Sequence, residues 1–250
     1  MKIAIAGGTG VAGTPTRKAV RKAGHEAVIL SRSQGVDLVS GMGLDAALTG
    51  VDVVIDTANV TTLKADTAIE FFTAATGNLL TAAADAGVGH IVLLSIVGID
   101  RMPHDYYAGK IAQEKIVEAS PVPWTIQRAT QFHEFAGQMF ARAKAGPLHI
   151  APRARTQPIA AHDVGVRLAA LAAGDPQGRT ADIAGPREEA LDAMIKAWAR
   201  ANGHRGWVPS VNIPTAQMKG MREGLALPGA GALLADETFD EWLAARSSTP

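Results

Sequence analysis

The sequence predicts an α/β protein with a doubly wound parallel sheet and a smaller C-terminal region on the substrate side. In the first half, short runs of Val, Ile and Leu alternate with longer helical patterns, and a glycine-rich segment follows the first run directly. Apolar runs without polar alternation are typical of strands covered on both faces, and their alternation with helices indicates βαβ units. We expect one domain over residues 1–250, with a core over about 1–130 and a mixed region over about 131–250.

The candidate strands are the apolar runs of the first half. In order they are KIAIA (2–6), EAVIL (26–30), the weaker VDLV (36–39), VDVVID (51–56), HIVLLS (90–95) and WTIQ (124–127). Helical spacing of apolar residues before Gly24 and before Gly87 predicts two helices, since glycine often follows a last helical turn. Later in the chain, HDVGVRLAALAAG, REEALDAMIKAWARANG and TFDEWLAAR predict helices, and TADIAG predicts a short strand.

Composition narrows the class of partner. The 24 basic and 24 acidic residues cancel, so overall charge does not favour nucleic acid or an anionic membrane. The absence of cysteine excludes disulfides, thiolate metal sites and a cysteine nucleophile, and it suits a reducing compartment. The longest apolar stretch, near HIVLLSIVGI, is far shorter than a membrane span of about 18 residues. We expect a cytoplasmic protein with a small-molecule substrate and no metal; a homodimer is left open.

The segment GGTGVAG directly follows the first predicted strand and opens a predicted helix. Glycines at this junction let phosphate oxygens approach backbone N–H groups at the positive end of the helix. The alternative is a plain turn between strand and helix, but the series of strands that follows favours a dinucleotide loop. Its spacing is GxxGxxG rather than the more common GxGxxG. The predicted cofactor-binding residues here are Gly7, Thr9, Gly10, Val11 and Gly13.

The end of the second strand bears on which dinucleotide is bound. Folds specific for NAD place an acidic residue about 20 residues beyond the glycines, whereas an arginine accommodates the 2′-phosphate of NADP. This chain has Ser31, Arg32 and Ser33 at that point, which offer a cation and two hydroxyl donors. NADP(H) is therefore favoured over NAD(H). Two alternatives stay open, namely that Arg32 is only a solvated loop residue and that Asp37 reaches the ribose.

Three segments together resemble one family. GGTGVAG, the block HIVLLSIVGIDRMPHDYYAGKIAQEKIVEASPVPWTIQRATQFHEF (90–135) and the late TFDEWLA are similar to the atypical short-chain dehydrogenase/reductases of the NmrA-like group. The likeness covers nearly the whole chain. It implies a Rossmann-like fold, an NAD(P) cofactor bound by the core, and a substrate held by the C-terminal region.

The resemblance also assigns residues after two of the strands. Thr57, Ala58 and Asn59 follow the fourth predicted strand, at the sheet edge where ligands of open α/β folds bind. The resemblance implies that this turn flanks the adenosine and the nicotinamide ribose; the alternative for Asn59 is a cap on the next helix. It further implies that Arg128 and Thr130, after the sixth strand, contact the nicotinamide end.

Tyr106 and Lys110 are the candidate catalytic pair. They are four residues apart, so in a helix they share a face, and they have the YxxxK spacing of short-chain dehydrogenases. In that chemistry the tyrosine exchanges a proton with the substrate oxygen, while the ammonium lowers the pKa of the tyrosine and holds the ribose. Ser95, at the end of the fifth strand, would bond the same oxygen. Tyr107 is the neighbouring alternative to Tyr106.

These observations favour an NADP-dependent oxidoreductase acting on a small carbonyl, alcohol or quinone-like substrate. Two alternatives come from other classes. One is a regulator that binds NADP without turnover, senses its redox state and binds a protein partner. The other is an epimerase or dehydratase of the nucleotide-sugar type, which uses the cofactor transiently. No residue in the second half of the chain identifies the substrate.

Overall fold

The computed structural model describes residues 1–247, so the last three residues of the predicted domain, 248–250, lie outside it. The strands are β1 Lys2–Ala6, β2 Glu26–Leu30, β3 Val53–Asp56, β4 His90–Ile96, β5 Trp124–Ala129, β6 Lys144–Ala145, β7 Leu148–His149, β8 Ala151–Pro152, β9 Arg155–Thr156, β10 Gly178–Arg179, β11 Ile183–Ala184, β12 Glu189–Ala190, β13 Ser210–Val211 and β14 Leu233–Leu234. The α-helices are α1 Gly13–Lys22, α2 Leu44–Leu48, α3 Ala65–Asp85, α4 Tyr106–Glu118, α5 Phe135–Arg142, α6 Ala161–Ala172, α7 Leu191–Ala201, α8 Ala216–Arg222 and α9 Phe239–Ser247. Short 3-10 turns cover Arg32–Gln34 and Ile99–Arg101.

The first compact unit comprises residues 1–128 and 162–181. Its strands lie in the order β2-β1-β3-β4-β5, with β10 paired to β5. The pairs β1 with β2, β1 with β3 and β3 with β4 are parallel, so the predicted α/β fold with a doubly wound parallel sheet is confirmed. The chain leaves β1 toward β2 and returns on the other side of β1 as β3. Ligands of such sheets bind at this switch point, outside the carboxyl ends of the strands.

A hydrophobic core covers one face of this sheet. Successive strand side chains point to opposite faces, so Ala4 and Ala6 of β1 join the core with Val54 of β3 and Leu93 of β4. The helices α2, α3 and α4 supply the opposing side chains, among them Leu44, Leu48, Leu79, Leu80, Ala83 and Val117. Close packing of this kind fixes the strand ends, from which the loops of the candidate site emerge.

The weak strand predicted at VDLV, 36–39, is wrong. Val36 is buried in the core, but the backbone N–H groups of Val39 and Ser40 bond to the Asp37 carboxylate at 2.9 and 3.4 Å. A carboxylate that bonds the backbone two residues on stabilises a turn rather than a strand. Asn78 of α3 donates to the carbonyls of residues 38 and 39, which holds the turn. VDVVID, HIVLLS and WTIQ are therefore the third, fourth and fifth strands.

The second compact unit comprises residues 129–161 and the chain from Asp182 onward. Its short strands pair as β6 with β7, β9 with β12, β8 with β13 and β11 with β14. Phe140 of α5 stacks on His149 with 4.0 Å between ring centroids, and Trp198 of α7 packs on Phe140 at 5.4 Å. This unit therefore has its own aromatic packing. That residues 1–250 make one functional domain stays a prediction.

Candidate functional site

The glycine loop after β1 lies directly against the turn after β3. A Cβ on Gly7 would be 2.7 Å from the carbonyl oxygen of Thr57, and Gly7 has a φ of +69°. A Cβ on Gly13 would be only 2.1 Å from the carbonyl oxygen of Gly7. Both contacts are with backbone atoms, which cannot move aside as a flexible side chain can. Glycine is therefore required at both positions, and the two loops meet at the switch point.

The exposed part of this loop precedes α1. The N–H of Gly10 donates to the Gly7 carbonyl at 2.9 Å, which closes the turn, while Thr9, Gly10 and Val11 stay exposed. The first turn of α1 has no acidic residue, and Ala12 at its N-cap offers no capping oxygen. The positive end of the helix is thus left for an anion. Together with the bare backbone at Gly7 and Gly13, this arrangement fits the pyrophosphate of a dinucleotide.

Ser31, Arg32 and Ser33 lie where β2 ends. Arg32 begins the short 3-10 turn and is exposed, and within residues 1–247 it has no ion-pair partner. The Ser31 and Ser33 hydroxyl oxygens are 3.0 Å apart, so the two side chains sit on the same side of the turn. Asp37, the competing acidic residue, uses its carboxylate for the turn that replaces the weak strand. Arg32 is therefore the charged side chain at the end of β2 that is available to a ligand.

The turn after β3 contacts both the glycine loop and α4. The Thr57 hydroxyl donates to the Ala6 carbonyl at 2.7 Å, and the Ala58 N–H donates to Asp56 at 2.8 Å. Asn59 accepts a hydrogen bond from the Tyr106 hydroxyl at 2.7 Å. The alternative that Asn59 caps the next helix is wrong, because α3 begins at Ala65, well beyond it. The turn instead links the glycine loop to the candidate catalytic tyrosine.

Tyr106 is the first residue of α4 and is held by aromatic neighbours. Its ring meets Phe72 edge-on at 5.8 Å and Tyr107 at 6.1 Å. Burial, followed by the neighbouring Tyr107 and Asp56, raises the pKa of the Tyr106 hydroxyl above its usual range. The YxxxK spacing predicts that the Lys110 ammonium lowers this pKa, whereas burial makes the net shift upward. The phenol therefore keeps its proton at neutral pH.

Lys110 lies one helical turn further along α4 and is buried. Its Nζ donates to the Leu94 carbonyl at 2.8 Å and to the Gln113 side-chain oxygen, and it stands 4.9 Å from the centre of the Phe72 ring. Burial lowers the pKa of the Lys110 ammonium to about 8, against the opposing effects of Asp56 and Glu114. The amine is thus fixed in place and titrates close to neutral pH.

Gln113 connects the lysine to Asp56, a link that the sequence did not reveal. Its Nε2 donates to Asp56 at 2.9 Å and to the Thr76 hydroxyl at 3.0 Å. Burial raises the pKa of the Asp56 carboxyl, opposed first by Lys110. The partners come from β3, α3 and α4, and no local spacing joins them.

Arg128 belongs to an ion-pair cluster around Glu114, and Ser95 lies beside that cluster. Arg128 bonds Glu114 through two nitrogens at 2.9 and 2.6 Å and Asp100 at 2.5 Å, while Arg179 adds a 2.8 Å contact to Glu114. Burial raises the pKa of the Glu114 carboxyl, but contacts with Arg128 and Ser95 outweigh it and hold that pKa below its usual range. The Ser95 hydroxyl thus lies beside Glu114, and the Arg128 guanidinium is engaged within the protein.

Thr130, the remaining predicted cofactor residue, lies in the second compact unit. Its hydroxyl donates to the Gln157 carbonyl at 2.6 Å, and its N–H donates to the Ile183 carbonyl at 3.0 Å.

Among residues 1–247, no group of three or more His, Asp or Glu side chains is placed to hold a metal ion. In the same part of the chain, no helix combines the length and apolarity needed to cross a bilayer.

Comparison with known proteins identifies the class. Residues 11–172 match the NAD(P)H-binding protein family, which is more than half of the chain, so the chain belongs to this family. The predicted NAD(P)-binding family is thereby confirmed, and the narrower resemblance to the NmrA-like group of atypical short-chain dehydrogenase/reductases stays a prediction. No curated protein matches the chain significantly.

Solved structures share the fold at low identity. The NADPH complex of the NADPH-dependent quinone oxidoreductase QOR2 from Escherichia coli is 18% identical, with a TM-score of 0.71 over 98% of this chain and 99% of that one. The UDP-N-acetylglucosamine 4-epimerase from Bacillus cereus is 18% identical, with a TM-score of 0.68 over 100% and 97%. MoeE5 in complex with UDP-glucose and NAD is 14% identical, with a TM-score of 0.68 over 98% and 92%.

Strain is stored at the residue before the candidate tyrosine. Asp105 has φ +52° and ψ −132°, a conformation that side-chain-bearing residues rarely adopt. Such strain destabilises the folded state by on the order of 1–3 kcal/mol, which a glycine at this position would relieve. The greater freedom of glycine in the unfolded chain offsets about 0.5–1 kcal/mol of that gain. We expect Asp105→Gly to raise the free energy of unfolding by about 1 kcal/mol in urea titrations. Asp66→Gly, in the ordinary first turn of α3, is the matched control and should lower it; equal losses in both variants would contradict the strain.

Proposed function

We propose that this protein is an NADP-dependent oxidoreductase acting on a small carbonyl, alcohol or quinone-like substrate. The observation that carries the proposal is the hydrogen bond from the Tyr106 hydroxyl to Asn59. It brings a proton-bearing side chain to the turn that touches the glycine loop, at the sheet edge where this fold class binds ligands. The chain belongs to the NAD(P)H-binding family, so a bound nicotinamide cofactor is the redox partner proposed for this site.

The side chains then have separable tasks. A nicotinamide cofactor, when bound, supplies the hydride. Tyr106 holds a proton at its hydroxyl oxygen, and burial, by raising the pKa, keeps that proton in place until a substrate oxygen accepts it. Lys110, fixed by Leu94 and Gln113, supplies a cation one helical turn from Tyr106. Ser95 is retained as a candidate for the substrate oxygen, and Arg128 and Thr130 as candidates for the nicotinamide end.

The preference for NADP is part of the proposal and rests on Arg32. This guanidinium is exposed at the end of β2 beside two serine hydroxyls, and Asp37 is turned to its own backbone. A charge-assisted contact with the 2′-phosphate is worth about 1.5–3 kcal/mol, which is roughly tenfold or more in affinity.

Arg32→Ala is expected to reduce the ratio of NADPH to NADH affinity by about tenfold or more, because the phosphate loses its cation. Titration of both cofactors by nicotinamide fluorescence measures the ratio. Arg21→Ala, which removes an exposed arginine from the last turn of α1, is the matched control and should leave the ratio unchanged. Equal affinities of the parent protein for NADPH and NADH would contradict the proposed preference for NADP.

A quinone is the first substrate class to test. The fold is shared with an NADPH-dependent quinone oxidoreductase, although at an identity that supports architecture alone. We propose a panel of quinones, aldehydes and ketones with NADPH or NADH, followed through nicotinamide absorbance. Oxidation of NADPH that depends on both protein and substrate supports the proposal.

Two specific observations support second candidates. Neighbours of the same fold include a nucleotide-sugar epimerase, so UDP-sugars belong in the panel, with isomerised product and no net change in cofactor as the positive result. In addition, the Tyr106 hydroxyl is held by Asn59 and its pKa is raised, an arrangement that also suits a cofactor sensor. Tight NADPH binding without turnover, together with a changed affinity for a protein partner, supports that candidate.

A further inference from the structure

A buried bridge joins the carboxylate of Asp56 to the amine of Lys110 through one amide. We propose that Gln113 and Asp56 are positioning residues for Lys110: the amide fixes where the amine lies, and the carboxylate keeps it charged for a bound cofactor. Asp56, Gln113 and Lys110 are each at most 4% exposed. The inference rests on the cofactor role proposed for Lys110, and it adds two residues outside the YxxxK pair.

The orientation of the Gln113 amide follows from its partners. Its Nε2 donates to Asp56 Oδ2 at 2.9 Å and to Thr76 Oγ1 at 3.0 Å, so both amide hydrogens have acceptors. The side-chain oxygen then faces the amine of Lys110, which can only donate when charged. A reversed amide would set N–H groups against an ammonium and lose both bonds. The bridge therefore has one favourable arrangement.

The position of the amine follows in turn. An ammonium has three N–H donors, and the Leu94 carbonyl and the Gln113 oxygen accept two of them. The Phe72 ring lies 4.9 Å from Nζ and closes another direction. Among the described residues the third N–H has no hydrogen-bond acceptor, and the two bonds already made limit the directions in which it can meet a ligand. A lysine without Gln113 would lose one of the acceptors that limit these directions.

The charge on Lys110 depends mainly on Asp56. Phe72 of α3, the Leu94 carbonyl of β4 and the Gln113 amide contact the amine and carry no charge. The charged groups that act on the amine are the carboxylates of Asp56 and Glu114. Glu114 is paired with Arg128 and Arg179, whereas Asp56 is bound by the neutral donors Ala58, Gln113 and Thr76. Asp56 is thus the carboxylate whose charge is free to offset the burial of the ammonium.

Asp56→Asn tests the charge. The variant keeps the shape but removes the negative charge that favours the ammonium, so the pKa of Lys110 should fall from about 8 by about one unit or more. Cofactor-free protein labelled with ¹³C at lysine Cε, titrated by NMR, reports this pKa without any turnover. Asp85→Asn, an exposed acid at the end of α3, carries the same charge change and should leave the midpoint unaltered.

Gln113→Met tests the bridge and covers the case in which Asp56→Asn does not fold. It keeps the volume but removes the acceptor, so the midpoint of Lys110 should also fall, and NADPH affinity should weaken severalfold at neutral pH. Unshifted midpoints in both variants would overturn the inference, as would loss of folding in both, since the network would then be structural only. If the parent protein binds no NADPH, the proposed function fails, while the lysine titration still decides the positioning role.

Discussion

Tyr106→Phe is expected to lower turnover by about 10²- to 10⁴-fold and to leave NADPH affinity nearly unchanged. The change removes the proton that a general acid transfers, which usually contributes this factor, while the ring that packs on Phe72 remains. The hydrogen bond to Asn59 is also lost, but it joins two protein groups rather than protein and cofactor. Steady-state rates on a substrate from the panel and NADPH titration measure the two effects separately.

Tyr107→Phe is the matched control, because it removes the same atom from the adjacent residue. Tyr107 is buried at 4% exposure, and the hydroxyl bonded to the turn after β3 is that of Tyr106. We expect turnover to survive in this variant. If Tyr107→Phe is the inactive one, the assignment is off by one residue; if both variants keep full activity, the tyrosine mechanism fails.

Arg128→Met is expected to lower the free energy of unfolding by about 3 kcal/mol, the lower end for breaking a buried ion pair. Glu114 is 2% exposed, and removal of Arg128 leaves it with Arg179, whose side chain is 43% exposed. Urea unfolding followed by circular dichroism measures the loss. The predicted contact of Arg128 with the cofactor would appear as an additional loss of NADPH affinity in the folded variant.

Arg187→Met is the control for the ion-pair prediction. Arg187 also bonds two carboxylates, Glu189 and Asp240, but its side chain is 53% exposed. Exposed ion pairs contribute little because water and salt screen them. A loss in Arg128→Met no larger than in Arg187→Met would mean that burial of Glu114 does not set the cost.

The sequence predicted the parts of this site whose physics is local. KIAIA and EAVIL form strands with the predicted bounds. The first is buried from Ile3 onward, as an apolar run without polar alternation predicts, whereas the second ends the sheet order and is only partly buried. The glycine loop was found because its context, a strand followed by a helix, is adjacent in the chain. Where a local pattern competed with a side-chain contact the prediction was wrong: VDLV looked like a strand, but Asp37 and Asn78 hold it as a turn.

The rest of the site depends on contacts between distant segments. Gln113 lies 57 residues from Asp56 and 37 from Thr76 in the sequence, and a lone glutamine on a helix carries no signal of its own. The bond from Tyr106 to Asn59 spans 47 residues, so spacing could suggest the tyrosine but not what fixes its hydroxyl. The direction of its pKa shift was missed for the same reason, because burial cannot be read from the YxxxK spacing.

The central claim is that this chain passes a hydride from NADPH to a small acceptor. A single-turnover experiment tests it most directly: protein is mixed with one equivalent of NADPH and an excess of each quinone or carbonyl, nicotinamide absorbance is followed, and the product is identified by mass spectrometry. We predict loss of the absorbance with one equivalent of reduced acceptor, and no loss in the Tyr106→Phe protein on the same timescale. Saturable NADPH binding with unchanged absorbance for every acceptor would contradict the claim.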